Sequence, residues 1–225
     1  TRVTVAPRGP VKNTYIELSG DHPVNAGYEG AKRIIGGIRL VGIAADEDAK
    51  TPFLYVPDFP DLPMEEVYPR DAATAPAVVT RQTPSGGRTV HIPWNIGATF
   101  WDVQAKDHQR LMENAVRWAL SGPAMVEVTG KGVLDIGVRQ GEGVALVTLV
   151  NLTNPMMWKA QIHEIYPVGP LEVSIALPVG TTGVAAHLPI AENTADVTLR
   201  DGRAIVIVPH IDIVEAVHLT WEVTA

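Results

Sequence analysis

The spacing of apolar residues changes at Gly122-Pro123, and this change constrains the fold more than any other feature of the sequence. After this point the chain is a series of short alternating runs separated by Gly, Pro, Asn and Asp, which is typical of a β-sandwich. Before it, apolar residues recur three or four positions apart and predict a helix whose buried stripe is formed by Leu111, Met112, Ala115, Val116, Ala119 and Leu120. The sequence therefore predicts two domains, residues 1–121 and residues 122–225, the second a β-sandwich.

The first domain carries strand and turn signals of its own. Residues 77–81 and 88–92 are rich in β-branched side chains and flank Pro84-Ser85-Gly86-Gly87, which predicts a β-hairpin. Asp21 precedes His22-Pro23 and is placed to cap a short helix. The stretch from Pro52 to Pro76 is rich in proline, so it is predicted to be a long structured loop.

Composition excludes several classes of function. The formal net charge is −7 and no run of basic residues is present, which argues against a nucleic-acid-binding protein. No apolar stretch approaches the roughly 20 residues that a transmembrane helix needs, so no membrane partner is predicted. The absence of cysteine excludes disulfides, thiolate metal sites and a cysteine nucleophile.

Several segments together carry a resemblance to a known family. They are His91–Gly97, Phe100-Trp101, the run Asn114–Ala119, Asn151–Met157 and Leu62–Pro69. In these segments the chain resembles the C-terminal half of glycoside hydrolases that contain a β-galactosidase trimerisation-type domain. The resemblance covers almost the whole chain.

The resemblance implies a fold and a set of partners. Proteins of that family begin with a (β/α)₈ barrel that carries the catalytic carboxylates, continue into a domain similar to class I glutamine amidotransferases, and end in a small β-domain. The expected fold class is therefore α/β plus all-β, with a partial amidotransferase-like (flavodoxin-like) α/β domain at 1–121 followed by the β-sandwich. The implied partners are the N-terminal barrel, further copies of the chain with a trimer as the implied oligomer, and carbohydrate. The sequence does not predict a localisation.

The chemistry of an amidotransferase is not available to this chain. Such enzymes activate a thiolate with a neighbouring imidazole, and without cysteine His91 is predicted to be structural. Glu65 and Glu66, with Asp58 and Asp61 nearby, suggest the carboxylate pair of a glycosidase. Neighbouring residues of an extended segment point to opposite sides, so the favoured reading is a solvated or partner-contacting loop that could help to shape the sugar site of a barrel. We predict no catalytic residue in this chain.

Aromatic residues in the turn from 94 to 101 are the other candidates for substrate binding. Trp94 and Trp101 could stack on a sugar ring with Asn95 beside them, although burial of the aromatic rings against the helix that carries Trp118 is favoured. Asn95 and Asp102 in the same turn could instead cap the helix. The segment Asn154–Trp158 is read as an interdomain contact rather than a ligand pocket. No metal site and no cofactor are predicted.

Three functional hypotheses follow, of which an enzyme with a site assembled from Glu65, Glu66 and His91 is ranked last. The leading hypothesis is a non-catalytic support and oligomerisation region of a glycoside hydrolase, with the acid and the nucleophile in a barrel outside this chain. This chain alone would then be inactive. The alternative is a free-standing carbohydrate-binding or scaffold module, which binds glycan without cleaving it.

Overall fold

The chain folds into two compact units, Thr1–Pro123 and Ala124–Ala225, which we call the N-terminal unit and the C-terminal unit. The division lies beside Gly122-Pro123, where the apolar spacing of the sequence changes. A computed structural model describes residues 14–37, 41–56, 75–120, 122–154 and 164–223. No helix in these ranges is long and apolar enough to span a bilayer.

The N-terminal unit is built on one antiparallel sheet. Its strands are β1 (Tyr15–Leu18), β2 (Arg33–Ile35), β3 (Lys50–Val56), β4 (Ala75–Gln82) and β5 (Arg88–His91). They lie in the order β2-β1-β3-β4-β5, and every described pairing is antiparallel. A short 3-10 helix (Pro23–Asn25) follows β1, and two α-helices follow β5, namely α1 (Ile96–Val103) and α2 (Lys106–Leu120).

This arrangement tests the fold class expected of residues 1–121. A flavodoxin-like domain has parallel strands joined by crossover helices. The described strands of the N-terminal unit pair only in antiparallel fashion, and both α-helices come after the last strand. The amidotransferase-like α/β organisation is therefore not confirmed by the described residues. The predicted β-hairpin is confirmed, since β4 pairs with β5 around a turn closed by the Thr83 N–H and the Gly87 carbonyl at 2.7 Å.

The prediction of one long loop from Pro52 to Pro76 is wrong at both ends. Pro52 lies in β3, the middle strand of the sheet, and Pro76 lies in β4. Proline cannot donate to a strand ladder, so a regular central strand would exclude it. The register between β3 and β4 shifts twice beside Pro52, and its carbonyl accepts the Ser19 N–H at 2.9 Å. Residues 57–74 lie outside the described residues.

The helix predicted from the apolar spacing is confirmed as α2, but its buried stripe is only partly right. The side chains that α2 buries are those of His108, Leu111 and Ala115. Val116 and Leu120 are instead 59% and 56% exposed. The buried face is turned toward His108, whose Nε2 bonds to the Ile35 carbonyl at 2.9 Å. A polar residue that pairs across the core in this way is invisible to an apolar pattern.

The C-terminal unit consists of two antiparallel sheets. Its strands are β6 (Val126–Thr129), β7 (Leu134–Gly141), β8 (Val144–Asn151), β9 (Leu171–Ala176), β10 (Thr181–Leu188), β11 (Asn193–Ala195), β12 (Val197–Arg200), β13 (Arg203–Val208) and β14 (Val214–Val223). One sheet has the order β11-β10-β14-β8-β7 and the other the order β12-β13-β9-β6.

The two sheets of this unit share one apolar core. Along β8 every second residue is buried, from Ala145 to Asn151, and β9 alternates in the same way from Leu171 to Ile175. The apolar side chains among them belong to a single hydrophobic cluster that also includes Trp221 of β14. The predicted all-β, β-rich character of this half of the chain is therefore confirmed.

Candidate functional site

Trp94, a candidate for sugar stacking whose burial the sequence favours, is part of the core of the N-terminal unit. Its side chain is only 6% exposed, and the indole N–H donates to the Ala77 carbonyl at 3.0 Å. The His108 ring packs against it with centroids 5.8 Å apart. The Gly37 backbone approaches so closely that a Cβ there would lie 2.5 Å from Trp94 Cε3. Because its ring is enclosed in this way, Trp94 offers no face to a sugar.

Asn95 and Trp101 lie in different environments from the buried Trp94. Asn95 caps α1 through its backbone, since its carbonyl accepts the Thr99 N–H at 2.9 Å and the Thr99 hydroxyl at 3.0 Å. Asn95 is the N-cap residue of α1, but no side-chain hydrogen bond of Asn95 makes the cap. Trp101 lies on α1 and is 52% exposed. Of the two predicted tryptophans, only Trp101 presents a ring to solvent.

Of the remaining predicted residues, the structure describes some and not others. Glu65 and Glu66 lie outside the described residues, as do residues 155–158 of the predicted interdomain segment. His91 is exposed on β5. Among the described residues, no three His, Asp or Glu side chains converge in a way that could hold a metal ion.

A buried polar centre that sequence reasoning did not find surrounds His22. The predicted cap at Asp21 is wrong by one residue, because His22 itself caps the 3-10 helix through Nδ1, which accepts the Val24 N–H at 3.2 Å. The other ring nitrogen, Nε2, lies 3.1 Å from the hydroxyl of Thr80 in β4. Trp118 of α2 covers the ring, with centroids 5.1 Å apart. Since Nδ1 accepts, the proton of the neutral ring sits on Nε2 and is donated to Thr80.

Both nitrogens of His22 are therefore engaged, which leaves the ring no free position for proton transfer to a ligand. Two cavities of about 610 Å³ and 210 Å³ share Asp21, His22 and Pro23 in their linings. The smaller also contains Asp48 and Arg81, which pair with each other at 2.8 Å. The polar groups of this centre thus stabilise the junction of the 3-10 helix with β4 and α2.

His22 should make the N-terminal unit sensitive to acid. Burial lowers its pKa from the ordinary value of 6.5, and the Lys50 charge lowers it further while Asp21 opposes the change. Because the folded-state pKa is lowered, the unfolded state binds the proton more readily. The contribution of neutral His22 to the free energy of unfolding is therefore fully present above about pH 6.5, and it is lost as the pH falls toward the folded-state pKa. Protonation of Nδ1 would also remove the acceptor of the Val24 N–H and place two donors against each other.

We expect the melting temperature of the N-terminal unit to fall between pH 7.5 and pH 5. In His22→Gln, which cannot titrate, the same pH change should have a smaller effect, although the variant is less stable at pH 7.5. Circular dichroism melts at several pH values measure both. Equal pH dependence in the two proteins would show that His22 does not carry it.

The C-terminal unit contains a larger cleft, of about 820 Å³, lined in part by Glu172, Arg200, His210 and Glu215. Three of these four side chains already have a polar partner. Arg200 lies 4.0 Å from Glu172, and His210 Nε2 lies 2.9 Å from Asp212 Oδ1.

Glu215 is the one carboxylate that is buried among the described residues, with 3% exposure. Its two oxygens accept backbone N–H groups from Ile190 and Ala191 at 3.0 Å, and Oε1 also accepts the Ala216 N–H at 2.8 Å. The side chain therefore fixes the turn between β10 and β11 instead of presenting an acid to a ligand. A signal was present in the sequence, because a single carboxylate stands inside the apolar run Ile213–Val217.

Comparisons with known proteins identify the fold. No protein-family model matches the sequence, and no curated protein matches it. Among solved structures, the chain is similar to the alpha-L-fucosidase isoenzyme 2 from Paenibacillus thiaminolyticus, with a TM-score of 0.62, 17% identity, and coverage of 97% of this chain and 33% of the fucosidase. It is also similar to the beta-galactosidase from Bacillus circulans sp. alkalophilus, with a TM-score of 0.50, 13% identity, and coverage of 95% of this chain and 23% of the galactosidase. The chain therefore has the fold of a part of two glycoside hydrolases, and it spans a third or less of each.

Proposed function

We propose that this chain is a non-catalytic support region of a glycoside hydrolase whose catalytic carboxylates lie in a (β/α)₈ barrel outside it. In this proposal residues 1–121 are the later part of an amidotransferase-like, β-galactosidase trimerisation-type domain, and residues 122–225 are the C-terminal β-sandwich. The parent enzyme would cleave a glycosidic bond with two carboxyl groups.

The observation that carries the proposal is the extent of the structural likeness. Nearly the whole chain superposes on the fucosidase, yet it corresponds to only 33% of that protein. A region that spans so small a share of a hydrolase is a component of the enzyme and leaves room for a catalytic domain elsewhere. The chain likewise corresponds to only 23% of the galactosidase.

The chemistry of the described residues supports the same proposal. Glycoside hydrolysis needs two carboxyl groups across the scissile bond, roughly 5–9 Å apart, one of them available as an acid. Both carboxylate oxygens of Glu215 already accept hydrogen bonds from backbone N–H groups. Asp48 and Glu17 are paired with Arg81 and Arg33, each at 2.8 Å. None of these three carboxylates is poised to act on a substrate.

The purified chain should not turn over a glycoside. We would incubate it with chromogenic α-L-fucosides and β-D-galactosides, the substrate classes named by the two structural neighbours, and compare the rate with buffer. Intact mass and light scattering on a native preparation would show whether the chain copurifies with a larger polypeptide. We expect turnover only in fractions that contain such a polypeptide. Turnover by the chain alone, at a rate that scales with its concentration, would contradict the proposal.

The exposed ring of Trp101 favours a second candidate, a carbohydrate-binding module. One exposed tryptophan gives a stacking platform for a single sugar ring. Glycan-array binding by the wild-type chain that is lost in a folded Trp101→Ala variant would support this candidate over the first.

A further inference from the structure

Strand β7 is a long exposed edge. It forms one end of the five-stranded sheet of the C-terminal unit and has eight residues. The other edge strands that the structure describes, β2, β5, β6, β11 and β12, have three or four residues each. Proteins usually keep free edges short because an open edge offers unpaired N–H and C=O groups to another strand.

The apolar side chains of β7 are only partly covered by the described residues. Ile136 and Val138 pair with Leu149 and Val147 of β8 and so lie on the same face of the sheet. Those two β8 residues are fully buried in the core, whereas Ile136 and Val138 are 42% and 41% exposed. The inward-facing surface of the sheet thus continues onto β7 beyond the part that the core covers.

The backbone groups of Ile136 and Val138 point to the open edge. The carbonyl of Val133, just before β7, accepts the Leu152 N–H at 2.8 Å, so odd-numbered residues direct their backbone groups toward β8. Neighbouring residues of a strand alternate in this respect. No described strand pairs with the even-numbered residues of β7 on this side, so their N–H and C=O groups can pair with another strand.

We propose that β7 is an interface on which a second copy of this chain pairs, antiparallel, about a two-fold axis at Gly137. In this register Ile136 of each copy lies opposite Val138 of the other, and these pairs exchange the backbone hydrogen bonds of the open edge. Asp135 of each copy lies opposite Arg139 of the other. The two five-stranded sheets then join into one continuous sheet.

Charge complementarity selects a second copy as the occupant. Asp135 and Arg139 stand at equal distances on either side of Gly137, so the antiparallel pairing sets opposite charges face to face twice. They occupy non-hydrogen-bonded positions, where side chains of an antiparallel pair approach more closely. At the axis the two copies of Gly137 lie opposite each other, so no side chains meet there on the face of the sheet. The same pairing covers the exposed apolar side chains of Ile136 and Val138.

The test is a charge reversal and its repair, measured by sedimentation velocity across a concentration series of the 225-residue chain. Asp135→Arg or Arg139→Asp places like charges opposite each other twice and should weaken self-association by roughly tenfold or more. The double variant Asp135→Arg/Arg139→Asp restores opposite charges and should recover the wild-type constant to within about threefold. Arg200→Asp makes the same charge change on β12, an edge of the other sheet, and should leave the constant unchanged.

Hydrogen exchange gives an independent readout. Amides of Ile136 and Val138 should gain protection as the concentration of the chain rises, and Ile136→Lys, which places a charge on the inward face of the edge, should abolish both the protection and the association. A chain that stays monomeric at all concentrations would overturn the proposal. An association constant that the charge reversals leave unchanged would also overturn it. Protection of the β7 amides that arises only when a barrel-containing polypeptide is added would do the same. The interface does not depend on the proposed function, because turnover and self-association are measured separately.

Discussion

Replacing Trp94 by alanine is expected to lower the free energy of unfolding of the N-terminal unit by about 3–5 kcal/mol. The indole is buried against the Gly37 backbone and the His108 ring, so its removal leaves a cavity that close packing cannot easily fill. The Ala77 carbonyl also loses the indole N–H that it accepts at 3.0 Å. Urea titration followed by far-UV circular dichroism measures the change.

Trp101→Ala is the matched control. The same side chain is removed from the same part of the chain, but this ring is exposed, so we expect a change within about 0.5 kcal/mol. Equal losses of stability in the two variants would contradict the assignment of Trp94 to the core and Trp101 to the surface.

This difference also decides which tryptophan can be used to test glycan binding. Loss of binding in Trp94→Ala would be ambiguous, because the fold itself would be weakened. Loss of binding in Trp101→Ala would identify a contact with the glycan. The two candidate functions are therefore separated by Trp101 together with the turnover assay, and Trp94 serves as a reporter of folding.

Features that depend on neighbouring residues could be predicted from the sequence. The β4–β5 hairpin is specified by its turn residues, and α2 by the spacing of its apolar residues. The β-rich second half follows from short alternating runs. In each case the physical cause lies within about 15 residues of chain, which is the range over which periodicity and turn chemistry act.

Features that depend on distant contacts could not be predicted. His22 and Thr80 meet across the fold, and no local pattern marks the histidine as a cap. Burial of Trp94 is favoured by the sequence, but its close partner Gly37 lies far away in the chain and no local pattern identifies it. Pro52 is tolerated in a central strand because the ladder with β4 is irregular there. Residue type marks a side chain as a candidate for binding, whereas its exposure is set by these long-range contacts.

The C-terminal unit depends on Glu215 in a way that the conservative change Glu215→Gln should reveal. The carboxylate accepts N–H groups with both oxygens, and hydrogen bonds to a charged group contribute about 1.5–3 kcal/mol each when one partner is lost. An amide keeps one acceptor, but its NH₂ group must face a backbone N–H, for example that of Ala191. We therefore expect Glu215→Gln to destabilise the C-terminal unit by about 2–3 kcal/mol, measured by urea titration.

Faster hydrogen exchange at Ile190 and Ala191 should accompany this loss, because these amides are held by Glu215. The control is Asp212→Asn, a carboxylate-to-amide change at an exposed position paired with exposed His210. Exposed polar contacts of this kind contribute little, so this variant should differ from the wild type by less than about 0.5 kcal/mol. If Glu215→Gln were as stable as Asp212→Asn and exchanged its Ile190 and Ala191 amides at the wild-type rate, the carboxylate would not be what fixes the β10–β11 turn. The buried acid would then be free to act on a ligand in the 820 Å³ cleft that it lines.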